Sequence, residues 1–395
     1  MTEPVLPINR EVKDLEADKL LGFQMSVAGI EGITFLTFGE PGFDTPTVVK
    51  EATKAAIDGN RSHYGNSQGE PAVRQAVLDY MKDRYDLDYP GIENVVITLG
   101  VTEAMQAIFK TLLQRGDGLL IPEPAYGSYF ASLSLAGGVA VSVDTTNNGF
   151  KLTPALVDEA VAKATVPVRA VLLNYPSNPT GVTYTEAEIT ALAACFKKHG
   201  IWVISDEIYS ELTYEQEHFS IGKLLPEQSL VVNGLSKSHA MTGYRLGFIL
   251  GSADVIQYVQ KVHGSLTYSA PTFIEDGAVA ALKMSRQDLQ YMTDSYEERR
   301  DFSRQALEEL GFDVVDPEGA FYLFAKIPAD FGTDGWAFAE KLAHEGKVAV
   351  IPRAAFSHFE DANQYIRISY AASQEQLTEG FAKLKAYVEK ARANR

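Results

Sequence analysis

The chain has a single cysteine, Cys195, so no disulfide can form within it, and that usage fits a reducing compartment. It has no apolar run near the roughly 18 residues that would read as a membrane-crossing helix. Cations are in deficit: 35 Lys and Arg stand against 52 Asp and Glu, a formal charge of −17. This balance argues against nucleic acid or an acidic membrane as the main partner, and an anionic substrate must be gripped by locally placed cations. No internal repeat, low-complexity tract or long linker interrupts the chain. Its first residues, Met1 to Asp14, lack the basic flank and apolar stretch of a signal peptide, so a cytoplasmic protein is expected. The seven histidines show no His-x-x-x-His pair and no cysteine partners, so no metal site is expected.

What remains is an ordinary globular composition, 46% apolar and 22% charged, over 395 residues. That length suits a large domain plus a smaller one. Between about 50 and 280, short apolar runs alternate with helix-period segments. Asn94–Leu99, Gly118–Ile121, Val139–Val143, Val168–Asn174, Ile201–Ser205, Ser229–Asn233 and Leu246–Leu250 read as strands, with helices such as 102–113 and 186–199 between them. The pattern predicts an α/β fold, a mostly parallel sheet flanked by helices. After about 285 the rhythm changes to a long charged helix (287–310), then Phe312–Val315, Ala320–Phe324, Val348–Ile351, Tyr365–Ser369 and a terminal helix. The expected organisation is a large domain over 46–284 and a smaller α+β domain over 285–395, which residues 1–45 join.

Ligands of open α/β sheets bind beyond the carboxyl ends of the strands, and the unusual residues of this chain collect there. Lys237 sits in a small, polar, glycine-punctuated loop between two apolar runs, with Arg245 eight residues on; an amine and a guanidinium together suit an anionic, carbonyl-bearing ligand. Gly100-Val101-Thr102 opens a helix, where free N–H groups suit a phosphate, although a plain helix cap explains it as well. Pro122-Glu-Pro-Ala-Tyr126 presents an aromatic ring, and Tyr175-Pro-Ser-Asn178-Pro179 holds an amide stiffly between prolines. Asp206 follows an apolar strand, either as a helix N-cap or as a partly buried acid that needs a cationic partner; if a helix starts there, Tyr209 lies one turn on.

Pyridoxal phosphate needs such a set: a lysine for its aldehyde, N–H groups and an arginine for its phosphate, an acid for its ring nitrogen and a flat neighbour for its face. The motifs Phe38-Gly39-Glu-Pro-Gly-Phe-Asp-Thr-Pro46, His63-Tyr64-Gly-Asn66, Tyr175-Pro-Ser-Asn-Pro-Thr-Gly181, Ser205-Asp-Glu-Ile-Tyr209, Ser236-Lys237 and Arg367-Ile-Ser-Tyr370 occur in order along nearly the whole chain. In these the sequence resembles the class I/II aminotransferases of the fold-type I pyridoxal-phosphate family, especially the bacterial aromatic and N-acetyl-diaminopimelate branch. The resemblance implies that Lys237 forms the Schiff base with the cofactor and then moves the substrate's α-proton. It implies that Asp206 pairs with the ring nitrogen, that Tyr209 and Asn178 reach the phenolic oxygen, and that Tyr126 stacks on the ring. Val101, Thr102, Ser236 and Arg245 would hold the phosphate. Arg367 would clamp the substrate carboxylate, assisted by Gly39 and Asn178. Tyr64 would reach the phosphate of the partner subunit in a homodimer.

The activity so implied is amino transfer from an L-amino acid, aromatic first, to a 2-oxo acid such as 2-oxoglutarate. The alternatives are an N-acetyl-diaminopimelate aminotransferase and a carbon–sulfur β-lyase. Gly234-Leu-Ser-Lys237-Ser238 lacks the glycine spacing of a P-loop. A non-catalytic relative is disfavoured by the intact Lys237, Asp206, Arg245 and Arg367. Two positions depart from the family pattern: Tyr244 replaces a common Trp, with an effect expected on packing alone, and Arg353 stands where a glycine is usual. Arg353 is expected to sit in solvent rather than to reshape the substrate mouth.

Overall fold

A computed structural model describes residues 6–13, 15, 17–360 and 363–394. Parts of the N-terminal segment (1–5, 14 and 16) and of the 353–363 loop (361 and 362), together with residue 395, lie outside the described residues. The strands follow in the chain as β1 (Thr34–Phe35), β2 (Val95–Thr98), β3 (Gly118–Glu123), β4 (Val139–Asp144), β5 (Val168–Asn174), β6 (Trp202–Asp206), β7 (Ser229–Gly234) and β8 (Gly247–Leu250). All but β1 form one seven-stranded sheet, ordered β2-β8-β7-β6-β5-β3-β4, in which β8 alone runs antiparallel to its neighbours.

Burial on both faces explains why the inner strands are near-continuous apolar runs. Successive side chains alternate between two cores: Leu119, Ala170 and Leu172 pack with the helix Gly100–Leu112, whereas Leu120, Val171 and Leu173 pack with the helix Glu186–His199. The latter helix starts on a reciprocal cap, Thr185 with Glu188, and stops at Gly200 in the left-handed region.

The second layer system is antiparallel: β9 (Asp313–Val314), β10 (Tyr322–Lys326), β12 (Ile351–Pro352) and β13 (Tyr365–Ser369) in the order β12-β13-β10-β9. The helices Arg286–Glu309 and Gln374–Ala393 supply Leu289, Met292, Leu377 and Leu384 to its core. Phe23, Val27 and Leu36 enter the same core, and β1 pairs parallel with β11 (Val348–Ala349). The single run expected over Val348–Ile351 is thus two strands, because β11 pairs with β1 while β12 turns to β13. Tyr244 packs at the margin of an apolar cluster.

One open alternative falls away and two expectations are corrected. No helix begins at Asp206: residues 207–212 form turns closed by Ser210 N to Glu207 O and Leu212 N to Tyr209 O. The Glu207 carboxylate, fully buried, accepts from the Ser205 and Ser220 hydroxyls at 2.7 Å each and faces His218 Nε2 at 2.8 Å, which ties this segment inward. Arg353 is buried rather than solvated, its guanidinium donating to Phe359 O at 2.9 Å and Thr146 Oγ1 at 3.0 Å, with Asp144 at 3.4 Å. Finally, His199 does have a cysteine neighbour: Cys195, four residues back on one helix, gathers with it around Asp158, the three ligand-type atoms lying within 4.8 Å of one another. Lys198 Nζ already holds that carboxylate at 2.8 and 3.0 Å, so the group is a charge-balanced ion-pair cluster.

The loop after β5 is pressed against the smaller sheet at Gly181, whose φ is +74° and whose added Cβ would lie 2.8 Å from Tyr322 O. Gly181→Ala is expected to destabilise the fold by roughly 2–4 kcal/mol, from left-handed strain plus overlap; a lower urea midpoint in equilibrium unfolding checks this.

Candidate active site

At the carboxyl ends of β2, β3, β5, β6 and β7 lies a cavity of about 400 Å³, closed on its far side by Tyr322 of β10 and Arg367 of β13. Val101, Thr102, Tyr126, Asn178, Asp206, Tyr209, Ser236, Lys237, Arg245, Arg367 and Gly39 all line it, so these predicted residues come together although they are scattered over 39–367. Tyr64 does not: it is 87% exposed, away from these walls, with its ring 4.8 Å from that of Tyr268.

Lys237 is delivered by the connection that leaves β7, and its Nζ donates to the Gly39 carbonyl. Gly39 is required at that approach, since a Cβ there would fall 2.5 Å from the Tyr322 hydroxyl. Burial pulls the Lys237 ammonium down to about 8; Glu40 opposes this, while Arg245 and Arg367 reinforce it. The amine is thereby brought within reach of its uncharged, nucleophilic form near neutral pH.

Asp206 ends β6 and is 2% exposed. Its Oδ2 accepts from the Tyr129 hydroxyl at 2.6 Å and its Oδ1 from Ile208 N at 3.2 Å. Burial raises its pKa to about 6 against the pull of those two bonds. A carboxyl so placed has donors but, among the described residues, no cation within ion-pair distance, and a protonated ring nitrogen would supply one.

The wall formed by Arg245 and a helix start is equally specific. The helix Gly100–Leu112 starts without a side-chain cap, which leaves its first N–H groups uncommitted. Arg245 stands over that start in a left-handed conformation, Nη1 anchored on Thr242 O at 3.0 Å. Gly100 (φ +76°) must lack a Cβ, which would lie 2.7 Å from Arg245 Nη2.

Arg367 is 1% exposed and sandwiched between the Tyr322 ring at 4.5 Å and the Phe356 ring at 4.8 Å. Nη1 donates to Asn178 Oδ1 at 2.8 Å and Nη2 to Thr37 O at 2.7 Å, while its buried Nε meets no acceptor. With no carboxylate at ion-pair distance among the described residues, this guanidinium could seat an anion. An uncommitted buried acid, an uncapped helix start under an arginine, and a depressed lysine fit pyridoxal phosphate; the unpaired Arg367 fits the carboxylate of its substrate.

Two residues of the site carried no separate signal in the sequence. Tyr129, which donates to Asp206, stands on the helix Ser128–Ala136 just after Tyr126, and nothing in the sequence sets it apart from a packing tyrosine. Tyr322, whose hydroxyl lies 2.8 Å from that of Tyr209, comes from the other layer system and has no local marker.

Comparison with known proteins agrees with this geometry. A family model described as aminotransferase class I and II matches residues 31–384. A probable N-acetyl-LL-diaminopimelate aminotransferase of Bacillus subtilis (strain 168) is 40% identical over 385 residues, covering 98% of this chain and 96% of that protein. An aromatic-amino-acid aminotransferase 2 of Thermococcus litoralis is 35% identical over 362 residues, covering 90% and 92%. Among solved structures, a tetra mutant of the Thermus thermophilus aspartate aminotransferase complexed with tryptophan superposes with a TM-score of 0.90 at 33% identity, covering 97% of this chain and 100% of that one.

With the Lys237 pKa at about 8 rather than 10.5, roughly a tenth of the amine is uncharged at pH 7. The rate at which cofactor-free protein gains visible absorbance on mixing with pyridoxal phosphate should therefore rise with pH and level off above about 8; Lys237→Ala should abolish the stable coloured species.

Proposed function

The chain belongs to the class I and II aminotransferases, which depend on pyridoxal phosphate, and from that premise we propose that its donors are L-amino acids with uncharged, aromatic side chains. The observation that carries this is the charge inventory of the cavity. Among the described lining residues the cations are Lys237, Arg245 and Arg367, each with a task already, and the remaining charged groups are Asp206 and Glu40. No further cation waits for a side-chain carboxylate, and Glu40 would repel one. The walls offer Phe38, Met105 and Leu20 beside the tyrosines, surfaces that suit a flat apolar side chain.

When bound, pyridoxal phosphate supplies the aldehyde and the electron sink that let an amino group pass between two carbon skeletons. The chain's residues do the rest. Arg367 grips the α-carboxylate through Nε and its remaining donors, with Asn178 fixing the plane of the guanidinium. Lys237 Nζ, held over the same cavity, takes the proton from the donor's α-carbon and returns it later in the turnover. Asp206 keeps the ring nitrogen protonated, and the Tyr129 hydroxyl keeps Asp206 pointed at it. Tyr209 and Asn178, which line the cavity, would face the phenolic oxygen, and Tyr126 would cover the ring. The carboxylate tail of an acceptor such as 2-oxoglutarate, like the side chain of an acidic donor, would have to be met from outside these walls. A homodimer in which Tyr64 reaches the neighbouring site brings the partner subunit close enough to do so.

A second reading, N-acetyl-LL-diaminopimelate as donor, is favoured by the relative at 40% identity. A donor panel with 2-oxoglutarate decides between them. Phenylalanine, tyrosine or tryptophan should show a kcat/KM at least about tenfold above aspartate, the scale of one missing charge contact. A higher value for N-acetyl-LL-diaminopimelate would replace the aromatic reading. Acceptor-independent release of ammonia and pyruvate from cystathionine would mark β-lyase chemistry instead.

A further inference from the structure

Arg353 and the segment that follows it are not used by the chemistry above, yet they are bolted to the central sheet at both ends. At one end the buried Arg353 guanidinium spans from its own segment (Phe359 O, 2.9 Å) to Thr146 Oγ1 (3.0 Å) and Asp144 (3.4 Å) at the end of β4. At the other, Glu123 of β3, fully buried, accepts from His358 N at 2.7 Å and Ser357 Oγ at 3.0 Å, and its Oε1 faces His358 Nδ1 at 3.0 Å. Between the anchors Ala125 N donates to Phe356 O at 2.8 Å. The residue so immobilised is Phe356, 1% exposed, and its ring is one of the two faces between which Arg367 lies.

A buried carboxylate costs several kcal/mol unless donors compensate it, and here the donors all come from this one segment. Such an arrangement holds position in a way that apolar packing alone does not, because every bond has a direction and a length. We propose that Glu123 and Arg353 are positioning residues for the substrate carboxylate: they fix the 353–359 segment, which presses Phe356 on Arg367 and holds the guanidinium plane where the carboxylate must meet it. The glycine usual at position 353 in the resembling family could not make the β4 half of this latch.

The proposal rests on reading Arg367 as the carboxylate seat, and the experiment separates the two. Donor and acceptor share the α-carboxylate, so loosening the latch should raise both KM values together, by about tenfold, with kcat changed less than about threefold. Glu123→Ala, Arg353→Ala and Phe356→Leu are each measured in the holoenzyme, with visible absorbance confirming an intact cofactor site. Calorimetry with 3-phenylpropionate, a carboxylate that cannot react, should show its Kd rising by the same factor. Because Glu123 acts through Phe356, the Glu123→Ala/Phe356→Leu double variant should be no worse than the poorer single variant. If Glu123→Ala fails to fold, Glu123→Gln, which keeps one acceptor oxygen, should give an intermediate rise. Arg367→Lys is the control. If it leaves KM unchanged, the carboxylate seat is wrong; if it raises KM while the folded Glu123 and Phe356 variants do not, the latch is wrong. Donor and acceptor KM values that move apart, or single effects that multiply in the double variant, also overturn it.

Discussion

The site depends on holding charges out of water without pairing them with each other. Arg367 is buried between two rings with its Nε unmet, Asp206 is buried with hydroxyl and amide donors but no cation, and Lys237 is pulled well below its ordinary pKa. Each is costly alone. Directed hydrogen bonds from rigid elements keep the three apart: Asn178 and Thr37 hold Arg367, Tyr129 holds Asp206, and the Gly39 carbonyl holds Lys237. Were Asp206 free to swing toward either cation, the site would close into an internal salt bridge and offer a ligand nothing. The tight glycines at 39 and 100 belong to the same constraint, since they let backbone stand where side-chain bulk would push the charges out of place.

Residues that follow strands were legible because position and chemistry coincide there. Lys237, Asp206, Asn178 and the helix start at Gly100 each break an apolar run at its carboxyl end, and the fold gathers such ends on one edge. Tyr322 was not legible, because it comes from a different sheet and looks like any core tyrosine. Arg353 was misread for a related reason: a charged residue beside a turn suggests solvent, and its partners on β4 lie more than two hundred positions back in the chain. Of the two readings open for Asp206, the helix N-cap gives way because Glu207 is a buried anchor, a role that needs Ser220 and His218 and cannot be seen from the local pattern. The nearness of Cys195 to His199 is visible in their spacing of four on one helix, whereas Asp158, which gathers them, comes from a different helix.

The two layer systems divide the labour. The central sheet, buried on both faces, carries Asp206 at the end of β6 and Lys237 and Arg245 on the connection from β7 to β8. The antiparallel sheet supplies the buried Arg367 with Tyr322 over it, and the 353–359 segment returns to bond the central sheet at Glu123. On the proposed reading, the group that all substrates share would be met by residues that pack with each other, and the walls around Phe38 and Glu40 would be left to select among side chains.

The lone antiparallel strand has a consequence of its own. Had β8 run parallel to β7, a crossover would have carried the chain to the far end of the sheet before it returned. Instead the chain turns at the site, so that Lys237 and Arg245 sit on a single connection between two paired strands. A ligand bonded at the first and gripped at the second is a cross-link across that connection. It restricts the same loop that a disulfide would restrict in a chain rich in cysteine. This chain has one cysteine, buried elsewhere, so a staple at this connection would have to come from outside the polypeptide.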